Sequence, residues 1–144
     1  MRRIQTILTI TLTLLVLSAC KREDDIDEIF VGRTWYMNGV VINGVTKETK
    51  NFYTDTDRSC YCISFSSGTF QGHLSSNVAF SGTWQADGKL QTITLRLTEK
   101  PNTDNLFDNK LLNILSSVTS YTSGAEFMHL NDNNQNTIRF GKSR

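Results

Sequence analysis

The sequence predicts a mainly β domain of α+β composition: a curved antiparallel sheet or partly closed barrel, with one amphipathic helix packed on it. Three observations predict this. Apolar and polar residues alternate with period two in several short runs, of which Tyr61-Cys62-Ile63-Ser64-Phe65 is the plainest. Turn pairs such as Asn43-Gly44 and Asp87-Gly88 separate those runs at short intervals. Late in the chain the period changes once, where Phe107, Leu111, Ile114, Leu115 and Val118 take the spacing of a helical stripe. Short strands, frequent turns and one helix favour sheet closure, because closure removes exposed edges.

The folded part is expected to begin at Phe30 or Val31. Thr34 to Ile42 and Val45 to Lys50 read as a hairpin around Asn43-Gly44, since both turn residues tolerate positive φ. In the first of these strands Trp35, Met37 and Gly39 are placed on one side and Tyr36 on the other. Thr54 to Ser59 is polar and turn-like. A strand through Tyr61, Ile63 and Phe65 turns at Ser66-Ser67-Gly68 and returns as Thr69 to Leu74. Val78, Phe80, Gly82 and Trp84 alternate again, and Leu90 to Thr98 sets Ile93, Leu95 and Leu97 on one face. Pro101 breaks the pattern before the helix, for which Thr103 or Asp104 is the expected N-cap. Ser116 to Thr122 should leave the helix. Ala125 to Leu130 and Thr137 to Phe140 are the closing strands, joined by the polar turn Asn131-Asp132-Asn133-Asn134-Gln135-Asn136.

The first 19 residues have a different logic. Arg2-Arg3 precedes the apolar run Ile4 to Leu17, the order of a secretory signal. The run is shorter than the roughly 20 apolar residues a spanning helix needs, and four threonines dilute it. Leu17-Ser18-Ala19-Cys20 resembles the bacterial lipoprotein box, so residues 1–19 are expected to be removed and Cys20 to become the acylated N-terminus. Each buried methylene of an acyl chain contributes about 0.8 kcal/mol, and two or more chains hold a protein stably. Residues 20–29 read as a charged tether. Lys21-Arg22-Glu23-Asp24-Asp25 resembles the surface-export signals of Bacteroidota lipoproteins. The expected location is the outer membrane, either surface-exposed or facing the periplasm.

The 144 residues carry a formal charge of +1, and loss of Arg2 and Arg3 with the leader leaves −1. A near-neutral domain gives no footprint for nucleic acid. The length suits one domain, read as residues 30–144.

The order of elements resembles the META domain, also called HslJ-like, of bacterial envelope proteins. The resemblance rests on Gly32-Arg33-Thr34-Trp35, on Ile63-Ser64-Phe65 with Gly68-Thr69-Phe70 and Gly72, and on Ser81-Gly82-Thr83-Trp84. Phe107 to Leu111, Val118, Tyr121, Leu130 and Phe140 continue it. A lipocalin-like barrel is the alternative. The first resemblance implies an envelope module without catalytic residues, and the second a carrier of small apolar ligands.

Candidate chemistry is sparse. Cys60 and Cys62 are a possible disulfide; two residues apart on an extended strand, their Cα atoms would lie about 6.5 Å apart, the far end of the allowed range. Cys60, Cys62, His73 and His129 total four zinc-compatible side chains, but in no recognised spacing, so no metal and no cofactor is expected. Asp55-Thr56-Asp57 lacks the rest of a calcium loop. No serine sits in Gly-x-Ser-x-Gly. The aromatics Trp35, Tyr36, Phe65, Phe70, Phe80 and Trp84 are expected mainly in the core; an outward Tyr36, Tyr61 or Trp84 would offer a platform for a sugar or protein. The expectation is a non-enzymatic interaction or envelope-maintenance module. It would be held to the membrane by acyl chains, with a protein or glycan partner.

Overall fold

The structure, a computed structural model, describes residues 23–48, 60–75 and 78–142. The leader, Cys20 and the turn expected at Thr54 to Ser59 lie outside these residues. The elements are α1 (Ile26–Phe30), β1 (Thr34–Ile42), β2 (Val45–Glu48), β3 (Cys62–Ser66), β4 (Thr69–His73), β5 (Ala79–Asp87), β6 (Thr92–Glu99), α2 (Leu106–Ser117), β7 (Val118–Ser123), β8 (Phe127–Asp132) and β9 (Thr137–Gly141).

Strands β3 to β9 pair antiparallel in chain order, and β1 pairs with both β3 and β9. Eight strands thereby close into a barrel, and β2 extends β1 as a ninth strand outside the ring. Register shifts at Met37/Gly39, Ser81/Gly82 and Val118/Ser120 bend the strands; such bulges raise local twist and permit closure. The first one alters the expected facing of β1. Past it Val40, with no exposed surface, takes the inward place in phase with Trp35 and Met37.

The glycines of the central strands have a packing reason. Gly72 lies opposite Phe80, and Gly82 opposite Phe70. A Cβ on Gly72 would stand 2.4 Å from Phe80 Cζ, and one on Gly82 2.8 Å from Phe70 Cζ. Each ring lies over the glycine facing it, a device that tight curved sheets use generally.

Each end of the barrel is covered by a helix. At one end α2 brings Leu111 and Leu115 against Met37, Leu74, Phe80, Ile138 and Phe140, around a void of about 10 Å³. That is at most room for one water. Asn105 is the N-cap: its side chain accepts from the amides of Phe107 (2.9 Å) and Asp108 (3.2 Å). The cap thus falls one or two residues after the expected Thr103 or Asp104. Asp108 is fully buried and accepts from Tyr61 Oη at 3.2 Å and from both the amide and the hydroxyl of Ser75. This latch fastens α2 to the start of β3 and to the β4–β5 loop. Val118 to Ser123, expected only to leave the helix, forms β7.

The opposite end is covered by residues expected to be a tether. Asp25 caps α1 by accepting from the amide of Glu28 at 3.1 Å. The helix drops Phe30, with no exposed surface, onto Phe65, Trp84 and Tyr121 at ring separations of 5.1, 5.2 and 5.1 Å. Upstream, the Asp24 amide donates to Gly88 O at 3.2 Å, and its carboxylate accepts from Tyr121 Oη at 2.9 Å and Gln91 Nε2 at 3.2 Å. Burial, with the Asp24 carboxylate beside it, pushes the Tyr121 phenol well above its ordinary value. The folded domain therefore includes residues 24–29, upstream of the expected start. The reason is that one large apolar side chain, Phe30, gives a polar segment an anchor in the core.

Replacement of Phe30 by alanine is expected to cost about 3–5 kcal/mol, the usual loss for a buried phenylalanine. The same change at Phe127, which is 42% exposed, should cost far less. Urea unfolding of both variants checks the difference. Equal costs would mean that α1 is not part of the core.

Candidate functional site

The alternation that fills the barrel also composes its outer wall. On β3, β4 and β5 the outward positions from Cys62 to Gln85 hold hydroxyl, amide, thiol, imidazole and methyl groups, and no Asp, Glu, Lys or Arg. Cross-strand register arranges them in rows. One row runs Thr34, Ser64, Gln71, Ser81 across β1, β3, β4 and β5; the next runs Ser66, Thr69, Thr83, Arg96 across β3 to β6. Thr34 and Ser64 share a hydrogen bond of 2.8 Å between their hydroxyls. Exposed sheet faces ordinarily intersperse both signs of charge, so this wall is unusual in composition.

A groove of about 350 Å³ lies at one side of the wall, lined by Gly68, Thr83, Trp84, Gln85, Thr94 and Arg96. Its shape follows from strand lengths. β4 starts at Thr69, opposite Thr83, whereas β5 continues to Asp87, leaving the tight turn at Gly68 (φ +74) beside the longer strand. Trp84 is an inward residue whose Nε1 donates to Ser66 O at 2.8 Å, which ties the groove floor to the β3–β4 turn. Among the described residues Arg96 has no ion pair, and the pair that forms, Lys142 with Glu126 at 3.2 Å, lies elsewhere. The groove can thus offer one guanidinium, a planar fork of five donors, amid neutral hydroxyls and an amide.

The residues singled out from sequence are distributed unevenly. Cys62 and His73 face each other across β3 and β4. Cys60 is buried and Cys62 half-buried. Tyr61 between them has φ +53, so the extended geometry assumed for a Cys60–Cys62 disulfide does not hold at this point. His129 sits on β8, separated from β3 by β9 and β1. The four candidate zinc side chains are therefore not brought together, and among the described residues no group of three or more His, Cys, Asp or Glu could hold a metal. Asp55, Asp57 and Cys20 lie outside the described residues. Trp35, Phe65, Phe70, Phe80 and Trp84 are buried in the core, and Tyr61 too is inside; Tyr36 is half-buried on the outer wall. Sequence reasoning missed Arg96 as a lone charge and Asp108 as a buried one. The first needed the register of four strands. The second had a faint signal, an acid on the apolar side of a helical stripe.

This is the class of small antiparallel β-barrels, eight strands closed on a packed interior. Within that class the chain belongs to the DUF4847 family, a domain of unknown function, whose sequence pattern matches residues 21–141. A crystal structure of a DUF4847 family protein from Bacteroides vulgatus ATCC 8482 is similar to it, with 22% identity and a TM-score of 0.67. That alignment covers 82% of this chain and 97% of the other. A protein from Burkholderia xenovorans studied by NMR is similar at 16% identity and a TM-score of 0.50, with 79% and 83% of the two chains covered. These likenesses show the fold. No curated protein matches the chain. The META/HslJ resemblance is therefore corrected: the family is DUF4847. The residues that carried it, Gly72 and Gly82 with their phenylalanines, are explained by ring-over-glycine packing. Any tight antiparallel barrel can need that pattern, so it does not discriminate families.

His129 offers a titration that tests the outer wall. Burial, and then the Arg139 charge facing it across β8 and β9, hold its imidazole below the ordinary 6.5. Folding thus favours the neutral ring. The associated stability is present above pH 6.5 and is lost as pH falls below it through the folded value. An NMR titration should place the His129 midpoint below that of an unfolded peptide, and Arg139→Gln should raise it. A midpoint at or above the peptide value would contradict this placement.

Proposed function

We propose that the protein is a lipid-anchored, non-enzymatic interaction module of the cell envelope that binds a glycan on its outer wall. The observation that carries this reading is the uncharged hydroxyl and amide wall with its groove around the single guanidinium of Arg96. Sugars are recognised by such donors and acceptors, and a uronate or similar acidic sugar would supply the carboxylate that Arg96 lacks among the described residues. The interior supports a lipocalin-like carrier less well. The barrel shape suits one, yet the void among the described residues at the α2 end is about 10 Å³, far below the few hundred Å³ of ordinary ligand pockets.

The anchor is Cys20, in Leu17-Ser18-Ala19-Cys20. The family match starting at residue 21 supports this reading, because the conserved domain then begins directly after the acylated residue. Among the described residues no helix is long and apolar enough to cross a membrane. We place the protein at the outer membrane. Asp24 and Asp25 have structural partners of their own, so the charge run after Cys20 does not by itself argue for export to the surface.

Two measurements test the reading. Cys20→Ala should move the protein from the membrane fraction to the soluble fraction; retention in the membrane would remove the anchor. Binding to an array of neutral and acidic polysaccharides should favour acidic ones, and Arg96→Ala should weaken it by about tenfold, the effect of losing roughly 1.4 kcal/mol of charge-assisted hydrogen bonding. Unchanged binding by that variant, or capture of proteins alone, would refute the glycan reading.

A further inference from the structure

We propose that the acylated protein stands on the bilayer in one orientation, with the α1 end down and Leu90 and Phe127 touching a zwitterionic lipid surface. This rests on the reading of Cys20 as the lipid anchor. The chain that leads into the barrel is held before α1 begins. It is fastened at Asp24, through its amide to Gly88 O and through its carboxylate to Tyr121 and Gln91. Gly88 approaches so closely that a Cβ there would stand 2.2 Å from Asp24 O. Four peptide steps separate Cys20 from Asp24, and fully extended they reach at most about 14 Å. A nine-residue strand such as β5 is about 30 Å long. So short a link keeps the α1 end near the bilayer.

The register then decides which side chains meet the lipid. The β5–β6 turn and the start of β8 both lie at the α1 end, and they expose Leu90 (69%) and Phe127 (42%). Among the described residues the two other exposed large hydrophobic ones, Val45 and Leu106, belong to the β1–β2 turn and the start of α2, at the opposite end. Asp25, Asp27 and Glu28 lie at the α1 end together with Arg33, Lys89 and Lys142. With both signs of charge present, that end suits a zwitterionic lipid over a strongly charged one.

The described residues supply their own control, two exposed apolar positions at each end. Tryptophan is placed singly at each position, as Leu90→Trp, Phe127→Trp, Val45→Trp and Leu106→Trp. The native Trp35 and Trp84 are buried and give a constant background. The full lipidated protein is reconstituted into phosphatidylcholine vesicles with brominated chains. Expected is a loss of the added emission at 90 and 127, with none at 45 and 106. Flotation with the vesicles but equal quenching at all four positions would overturn the orientation alone. Failure to float would overturn the lipid anchor and the orientation together. A second variant pair, Asp24→Asn with Tyr121→Phe, loosens the fastening while keeping Phe30, and should reduce the contrast between the ends. An unchanged contrast there would show that the Asp24 fastening does not set the orientation.

Discussion

Phe30 is the side chain on which the rest of this structure depends. A closed eight-stranded barrel has two open mouths, and each would expose the apolar ends of its strands to water. The α2 mouth is covered by a long amphipathic helix with four buried aliphatic residues. The other mouth has only the five-residue α1, too short to be stable alone. What holds it is one ring among three: Phe30 against Phe65, Trp84 and Tyr121, from β3, β5 and β7. Edge-on aromatic contacts add about 0.5–1.5 kcal/mol each beyond the area they bury. Asp24 then fastens the approach to that plug, so a segment that is polar on average becomes part of the core.

The packed interior shifts attention to the outer surface. Trp35, Ile63, Phe65, Ile93, Met128 and Leu130 have almost no exposed surface. Barrel proteins that carry a ligand inside keep that space open. Among the described residues the interior is filled, and the Trp35 indole N–H is buried there without a hydrogen-bond partner. What the barrel offers instead is an outer wall with an uncharged stretch and a groove, where Arg96 has no ion pair among the described residues. Fold alone assigns no function to it; the groove itself presents hydroxyls, an amide and a guanidinium.

Much of the architecture was legible in the sequence, for identifiable reasons. The alternation in β5 and β6 and the Asn43-Gly44 turn are local signals, and Asn43 and Gly44 both take positive φ as that turn requires. The apolar stripe of α2 was equally plain. What was not legible depended on contacts between distant residues. Asp24 looks like solvated charge until Tyr121 and Gln91 arrive from the far side of the chain. Asp108 looks like a surface acid until Tyr61 and Ser75 enclose it. The bulge that brings Val40 inward leaves no mark on β1 itself, since it is set by pairing with β9. The lone position of Arg96 emerges only when four strands are laid side by side. Gly-aromatic pairs were visible but ambiguous, because they report barrel curvature and not ancestry.

Residues 24–30 are an integral plug of the barrel. Native-state hydrogen exchange tests it most directly. The amides of Asp24, bonded to Gly88 O, and of Gly32, bonded to Phe65 O, bracket the segment. If the plug is integral, both should exchange as slowly as amides in β3 and β5, through global unfolding. If the Asp24 amide instead exchanges at the rate of an unstructured peptide while the strands stay protected, the segment is a loose tether and the account fails.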